Sequence, residues 1–415
     1  MLAEFFDSPL RIQELRDGPE GRLLEGFAEE LCQAGYAEIT ARRHIRAAEH
    51  LIYWTGREGI PISTWDERFV EDFAHHLDRC QCPRYGHTYR LDLQNGVRLF
   101  FSYLRCAGVL TTSIAEQTVR DPVLFASFCQ WMRQQRGTCD HTLYNYGLLL
   151  RDLLRSVGED PGKFDAQSLR KFVLERSQRC GWATAKRCTT AVRMFLRFLI
   201  ADGKCSAGLD AAIPVLAHWR LSSLPRYLQS DEVERVIASC DRETLVGRRD
   251  RAILLWLARL GLRAGDLVQL RMGDVDWEEA CIHVSGKGRC QTRLPLTQEL
   301  GDAIATYIKD GRPQTHTDTL FIRSRAPFRE LASHCAISVI VTRAMRRAGV
   351  TCPSRGAAHL LRHSVASSML RQGASLQEIA VILRHRSTET TEIYAKVDVI
   401  ALRQIAQPWP EVELC

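Results

Sequence analysis

The stretch from His359 to Tyr394, HLLRHSVASSMLRQGASLQEIAVILRHRSTETTEIY, constrains the fold of this chain most, because its polar residues can cooperate only if helices bring them together. His359 and Arg362 stand three apart, so on a helix they share one face and point at the same small anion. Gly373 fits a helix C-cap, and Ser375-x-x-Glu378 reads as a capping box opening a second helix that runs towards Arg384, His385 and Arg386. Ser387 or Thr388 is placed to cap a third helix, which would bring Tyr394 round to the same side. The expected product is a cationic pocket closed by a phenol.

Such a pocket suits phosphoryl transfer without a metal. A phosphodiester gains negative charge on its non-bridging oxygens in the transition state, and guanidinium forks complement those oxygens with charge-assisted hydrogen bonds. A tyrosine oxygen can be the nucleophile, storing the energy of the broken bond in a covalent intermediate. Taken singly, each motif is commonplace: a C-terminal Tyr usually packs, a His-x-x-Arg pair usually decorates a surface, and Arg-rich turns are usually solvated. Their shared order and spacing selects the reactive interpretation.

The length, 415 residues, exceeds a usual single domain, and a hydrophobic content of 45% is ample for packed cores. The net charge of +7 is mild, but Arg far outnumbers Lys, which fits phosphate contact and equally fits a GC-rich genome. No run approaches the ~20 apolar residues of a membrane span, and the N-terminus lacks a basic start before an apolar core, so a soluble cytoplasmic protein is expected. The 15 cysteines are scattered, and reduced thiols are the default. The densest metal-like patch is His75, His76, Cys80, Cys82 and His87; Cys-x-Cys is poor zinc spacing, and no metal or cofactor is expected.

From about residue 22 to 205 apolar residues recur at three- and four-residue intervals. LLEGFAEELCQAG, ITARRHIRAAEHLIYWTGREG, DERFVEDFAHHL and QNGVRLFFSYLRCAG are matched in order by VLFASFCQWMRQQRG, HTLYNYGLLLRDLLRSVG, AQSLRKFVLERSQRC and TTAVRMFLRFLIADG. Two four-helix units are expected, at 22–110 and 121–204, after a leader at 1–21. Arg42, Arg43 and Arg46 in the first, and Lys186, Arg187 and Arg193 in the second, could meet a DNA backbone, which makes the helical part a DNA clamp. A linker follows at 205–226, then a domain at 227–400 that Ser230 opens as a helix cap, and a tail at 401–415.

Inside that domain, RDRAILLWLARLGLRAGDLVQLRMGDVDW reads as a helix, a break at Gly261 and a second helix from about Arg263. Arg263, with Asp266 three residues on, is an anion ligand held by a carboxylate, or else an ordinary exposed ion pair. CIHVSGKGRCQTRLPL alternates as a β-hairpin whose glycines let Lys287 reach out. The chain is therefore mainly α with a small β-hairpin or sheet.

Arg263 in LGLRAGDL, Lys287 in the hairpin, His359-x-x-Arg362, His385 in ILRHRS and Tyr394 in TTEIY occur in the order that marks the tyrosine recombinases, the phage-integrase family, and the chain resembles that family over about residues 224 to 400. The resemblance implies a catalytic domain of that family preceded by the two helical units as SAM-like bundles. It implies that Tyr394 attacks a DNA phosphate, leaving a 3′-phosphotyrosine and a free 5′-hydroxyl. Arg263 and Arg362 would clamp the non-bridging oxygens with His385 as a further donor, His359 would assist proton transfer, Lys287 would protonate the leaving oxygen, and Asp266 would brace Arg263. Where the family usually has Gly, this chain has Arg384, expected to contact phosphate or tighten the turn. The apolar tail face, Val397, Ile400, Leu402 and Ile405, would dock on a neighbouring subunit, giving a homotetramer on double-stranded DNA, alone or with related recombinases. The activity implied is integration or excision of a mobile element. A type IB topoisomerase-like nicking-closing enzyme and a non-catalytic DNA-binding accessory protein are the alternatives.

Overall fold

The computed structural model describes residues 1–66, 68–83, 85, 90–110, 123–217, 224–285, 291–353, 356–385, 387–397 and 402–403. The chain divides into two compact units, one formed by Met1–Leu110 together with Leu221–Cys415 and the other by Thr111–Arg220. Among the described residues no helix is long and apolar enough to cross a membrane.

The larger unit begins with a 3-10 turn, Leu2–Glu4, followed by helices α1 (Pro9–Asp17), α2 (Gly21–Gln33), α3 (Glu38–Arg57), α4 (Arg68–Arg79) and α5 (Arg90–Cys106). The residues expected to form a leader are packed: Leu2, Phe5, Phe6 and Leu15 lie in one core with Phe27, Ile45, Leu51 and Phe100. Helix α1 starts where Ser8 caps the Arg11 N–H and Pro9 supplies a pre-set φ at the first helical position. In α3 the residues Ala41, Ile45, Ala48 and Ile52 recur every three or four positions, and all are buried. Helix α5 approaches α3 on the adjoining His44–Ala47 side through Gly96, where a Cβ would come within 2.8 Å of the Ala47 Cβ.

The same unit continues with α10 (Ser230–Ala238), α11 (Leu245–Leu260), α12 (Ala264–Gln269), strands β1 (Val275–Asp276), β2 (Cys281–Ser285) and β3 (Gln291–Pro295), and helices α13 (Gln298–Asp310), α14 (His334–Arg347), α15 (Ala357–Arg371) and α16 (Leu376–Ile382). The strands form an antiparallel sheet in the order β1-β2-β3, with Ile282 opposite Leu294 and His283 opposite Arg293. The hairpin was legible from its alternation, whereas β1 is too short to leave a periodic signal. Helix α11 is buried on nearly every face, with Trp256 set edge-on to Phe321 at 5.8 Å. The helix expected to be capped by Ser230 is capped one residue earlier by Gln229, whose backbone N–H donates to Glu232. The loop before α14 meets the α2–α3 turn, where the Phe328 N–H donates to the Ala34 carbonyl at 3.2 Å.

The smaller unit holds α6 (Val123–Arg136), α7 (Asp140–Val157), α8 (Ala166–Arg179) and α9 (Trp182–Ala201) around Phe128, Leu150, Leu153, Phe195 and Leu199. Asp165 caps α8 by accepting from the Gln167 and Ser168 N–H groups. Beyond α9, Ile213 is buried in this core and its carbonyl accepts from Arg193 at 3.0 Å.

Candidate active site

Helix α11 ends at Gly261, whose φ of +58° is left-handed; a Cβ there would sit 2.6 Å from Leu383. Glycine is thus required both by backbone conformation and by the approach of the chain after α16. This turn delivers Arg263 to the N-cap of α12, where the Asp266 carboxylate accepts its backbone N–H at 3.1 Å.

Helix α16 opens with the expected capping box, Ser375 accepting from the Glu378 N–H and Glu378 from the Ser375 N–H. It closes in a Schellman motif: the Arg384 N–H donates to Val381 and the His385 N–H to Ala380, with Arg384 at a φ of +54°. That is a position where glycine is ordinarily favoured. Arg384 is held by a ring of bonds. Its Nη2 pairs with Asp266 at 2.5 Å, its carbonyl accepts from Arg263 Nη2 at 3.0 Å, and Asp266 returns to the Arg263 backbone. The side chain is 7% exposed, and its Nε and Nη1 meet no partner among the described residues. Asp266 therefore braces Arg263 through the backbone and through Arg384.

His359, Arg362 and His363 share one face of the first turns of α15. Arg362 is buried at 2% exposure and donates to the carbonyls of Gly261 and Leu383, so it ties the two turns together. Burial, and then the Arg263 charge, lower its pKa to about 10, which leaves it charged at neutral pH. His359 keeps an exposed edge; partial desolvation, then the Arg362 and Arg263 charges, lower its pKa. Its ring stands edge-on to His363 at 4.9 Å.

The third α-helix expected before Tyr394 is instead two short 3-10 turns, Thr388–Thr390 and Glu392–Val397, the first capped by Ser387. Tyr394 lies in the second, buried with Ala366, Leu370, Ile379 and Leu383. Its hydroxyl is 2.7 Å from His363 Nδ1. Burial pushes the phenol up to about 12, against the pull of Arg362. His363 is lowered to about 4 by burial and then by His359 and Arg362, so at neutral pH it is uncharged and free to accept. His385 Nδ1 lies 2.8 Å from the hydroxyl of buried Thr391, and burial with the Arg362 and Arg263 charges lowers it to about 4.

Arg263, His359, Arg362, His385 and Tyr394 are thus drawn together around the ends of α11, α15 and α16, with Asp266 and Arg384 behind them. Lys287 lies outside the described residues, as do Ile400 and Ile405 of the tail. His363 was present in HLLRH but was given no role; its position four residues after His359, on the same helix face, was the available signal.

The residues expected to touch DNA fall into two groups. Arg42 is engaged internally, by the Phe5 carbonyl, Asp7 and Glu38, and Arg43 pairs with Asp92 at 3.2 Å. Arg193 holds Ile213, as above. Arg46, Lys186 and Arg187 are exposed, the Lys186 amine lying over the Trp182 ring. Of the metal-like patch, His76, Cys80 and Cys82 converge with His50, while His75 is exposed outside that group and His87 lies outside the described residues.

Residues 226–399 match the model of the phage integrase family. The chain is 35% identical to the integrase/recombinase homologue y4rA of Sinorhizobium fredii (strain NBRC 101917 / NGR234), over 98% of each protein. It is 30% identical to tyrosine recombinase XerD of Listeria innocua serovar 6a (strain ATCC BAA-680 / CLIP 11262), covering 68% of this chain and 96% of that one. In fold it is similar to a lambda integrase tetramer bound to a Holliday junction, at 15% identity and a TM-score of 0.51 over 80% of this chain and 92% of that one. It is also similar to XerH site-specific recombinase bound to difH substrate before cleavage, at 20% identity and a TM-score of 0.51 over 72% and 92%.

Proposed function

The chain belongs to the phage integrase family, the tyrosine recombinases, and from that we propose that Tyr394 is the residue by which it cuts and rejoins DNA. The observation that carries this assignment is the gathering of Arg263, Arg362 and His385 about the ends of α11 and α16 with the Tyr394 hydroxyl in the same cluster. Its function is site-specific DNA recombination, and its partner is double-stranded DNA.

The chemistry follows from the charges. The phenol oxygen attacks the scissile phosphorus, the bond to the 5′-oxygen breaks, and a 3′-phosphotyrosine forms. The phenol is a poor nucleophile while its pKa stands near 12, so its proton must leave as attack begins. His363 Nδ1 is already positioned to take it. Arg263 and Arg362 meet the charge that develops on the non-bridging oxygens, and His385 adds a donor there. His359 and Lys287 serve the departing 5′-oxygen, which takes up a proton to become the free hydroxyl. With two guanidinium groups meeting the phosphate charge, the reaction has no call on a metal ion. Tyr394 is 2% exposed, so the Glu392–Val397 segment has to shift for a DNA phosphate to reach the phenol.

Four copies act on paired sites, as in the lambda integrase tetramer named above, in the cytoplasm where the DNA is, to integrate or excise a mobile element. Residues 22–110 and 121–204 each serve DNA binding, 227–400 carry the chemistry, and Arg46, Lys186 and Arg187 are exposed cations available to phosphate. The full-length relative is named as an integrase/recombinase, which favours recombination over the topoisomerase or accessory-protein alternatives. A nicked suicide substrate tests the proposal. Wild-type protein should trap a covalent adduct on the 3′ end and Tyr394→Phe none; an adduct formed equally by Tyr394→Phe would overturn it.

A further inference from the structure

We propose that His50, His76, Cys80 and Cys82 form a structural zinc site in the N-terminal helical segment. One ligand atom from each of the four lies within 4.8 Å of the others. His50 comes from the middle of α3, His76 from the last turn of α4, and Cys80 and Cys82 from the chain just beyond it. The spacing Cys80-x-Cys82 is unpromising by itself, but the set is not a zinc knuckle. His76 and Cys80 are four residues apart at a helix end and share one side, and the fold supplies His50 from 26 positions upstream.

The edges of the cluster match a metal-centred tetrahedron. Zinc–nitrogen bonds of about 2.0–2.1 Å and zinc–sulfur bonds of about 2.3 Å require nitrogen–nitrogen edges of about 3.4 Å and nitrogen–sulfur edges of about 3.6 Å. The two imidazole Nε2 atoms are 3.4 Å apart, Cys80 Sγ is 3.3 Å from His50 Nε2, and Cys82 Sγ is 3.5 Å from His76 Nε2. The surrounding groups hold the rings and serve a thiolate. Tyr85 stacks on His50 at 4.3 Å, Trp54 on His76 at 4.7 Å, and the Cys82 N–H donates to Cys80 Sγ at 3.4 Å. Two thiolates and two imidazoles in a tetrahedron suit zinc better than hard cations. All four positions come from protein, so the site has no open place for substrate and its role is to fasten the end of α4 to α3. The competing arrangement is a set of S–H···N hydrogen bonds with no ion.

The full-length chain, purified under reducing conditions, should carry about one equivalent of zinc by elemental analysis. Replacement by cobalt(II) should give the intense visible bands of tetrahedral coordination and a near-ultraviolet thiolate charge-transfer band. The variant Cys80→Ser/Cys82→Ser should lose both the zinc and the charge-transfer band. A chain that holds no zinc and gives no thiolate–cobalt band, or a variant that keeps its zinc, overturns the site. If the variant does not fold, the cobalt spectrum of the wild-type chain decides alone. None of these readings depends on DNA cleavage, so they stand or fall apart from the recombinase assignment.

Discussion

The Nδ1 atom of His363 lies 2.7 Å from the hydroxyl of Tyr394, and that imidazole is uncharged at neutral pH. In the tautomer with its proton on Nε2, the neutral ring offers Nδ1 as the acceptor of the phenolic hydrogen bond, which holds the ring in one orientation. His363→Ala should slow formation of the covalent DNA adduct by roughly 10²- to 10⁴-fold, the usual range for a lost proton acceptor, while leaving DNA affinity within a few-fold of wild type. Single-turnover cleavage of a suicide substrate, read beside a binding titration, checks both halves. An unchanged cleavage rate would remove His363 from the mechanism.

Acid should loosen this region before the rest. A histidine whose folded pKa lies below its unfolded value of about 6.5 binds its proton more tightly in the unfolded chain, so the folded state loses stability as pH falls between the two values. His363 and His385 are both lowered to about 4. The melting temperature should therefore be nearly level above pH 7 and fall progressively from about pH 6.5 towards pH 4. In the double variant His363→Gln/His385→Gln the fall should be shallower. An identical acid profile for wild type and variant would mean that these two rings do not carry it.

Arg263 and Arg362 were named together from sequence, but the structure separates their consequences. Arg362 alone satisfies two carbonyls in a buried place, those of Gly261 and Leu383. Arg263 is half-buried, and among the described residues its guanidinium donates to the Arg384 carbonyl. Loss of either guanidinium should cost roughly 10²- to 10³-fold in cleavage. Arg362→Ala should in addition destabilise the protein by about 2–5 kcal/mol, because the carbonyls are left without a donor. Arg263→Ala should cost about 1 kcal/mol. Urea unfolding of the two variants, set beside their cleavage rates, tests the distinction, and equal unfolding midpoints would contradict it.

Much of this was legible in the chain itself, for identifiable reasons. The Ser375–Glu378 box, the break at Gly261 and the β2–β3 hairpin depend on short-range chemistry, and short windows carry it. Tyr394 sits in a 3-10 turn rather than a third α-helix because Ser387 caps only one short turn before the chain bends again. The role of Arg384 was not legible, since it depends on Asp266, 118 positions earlier in the chain. The same holds for His50, which joins Cys80 only after α3 and α4 have packed.

Arg384 poses the remaining question, since it combines a costly backbone with a favourable side chain. A left-handed φ costs a non-glycine residue about 1–2 kcal/mol, and Arg384→Gly would recover most of that. The same change strands the Asp266 carboxylate, which is 9% exposed and, among the described residues, would keep only the Arg263 N–H. Breaking a buried pair costs about 3–5 kcal/mol, so Arg384→Gly should be destabilising by about 2 kcal/mol despite the relaxed turn. Asp266→Asn removes the stranded charge and can still accept from the Arg263 N–H. Adding it to Arg384→Gly should therefore cost less than its effect in the wild-type background, with a coupling of about 1–3 kcal/mol in a double-mutant cycle. Additive effects, or a stabilised Arg384→Gly, would show that the ion pair contributes little and that the turn alone governs this position.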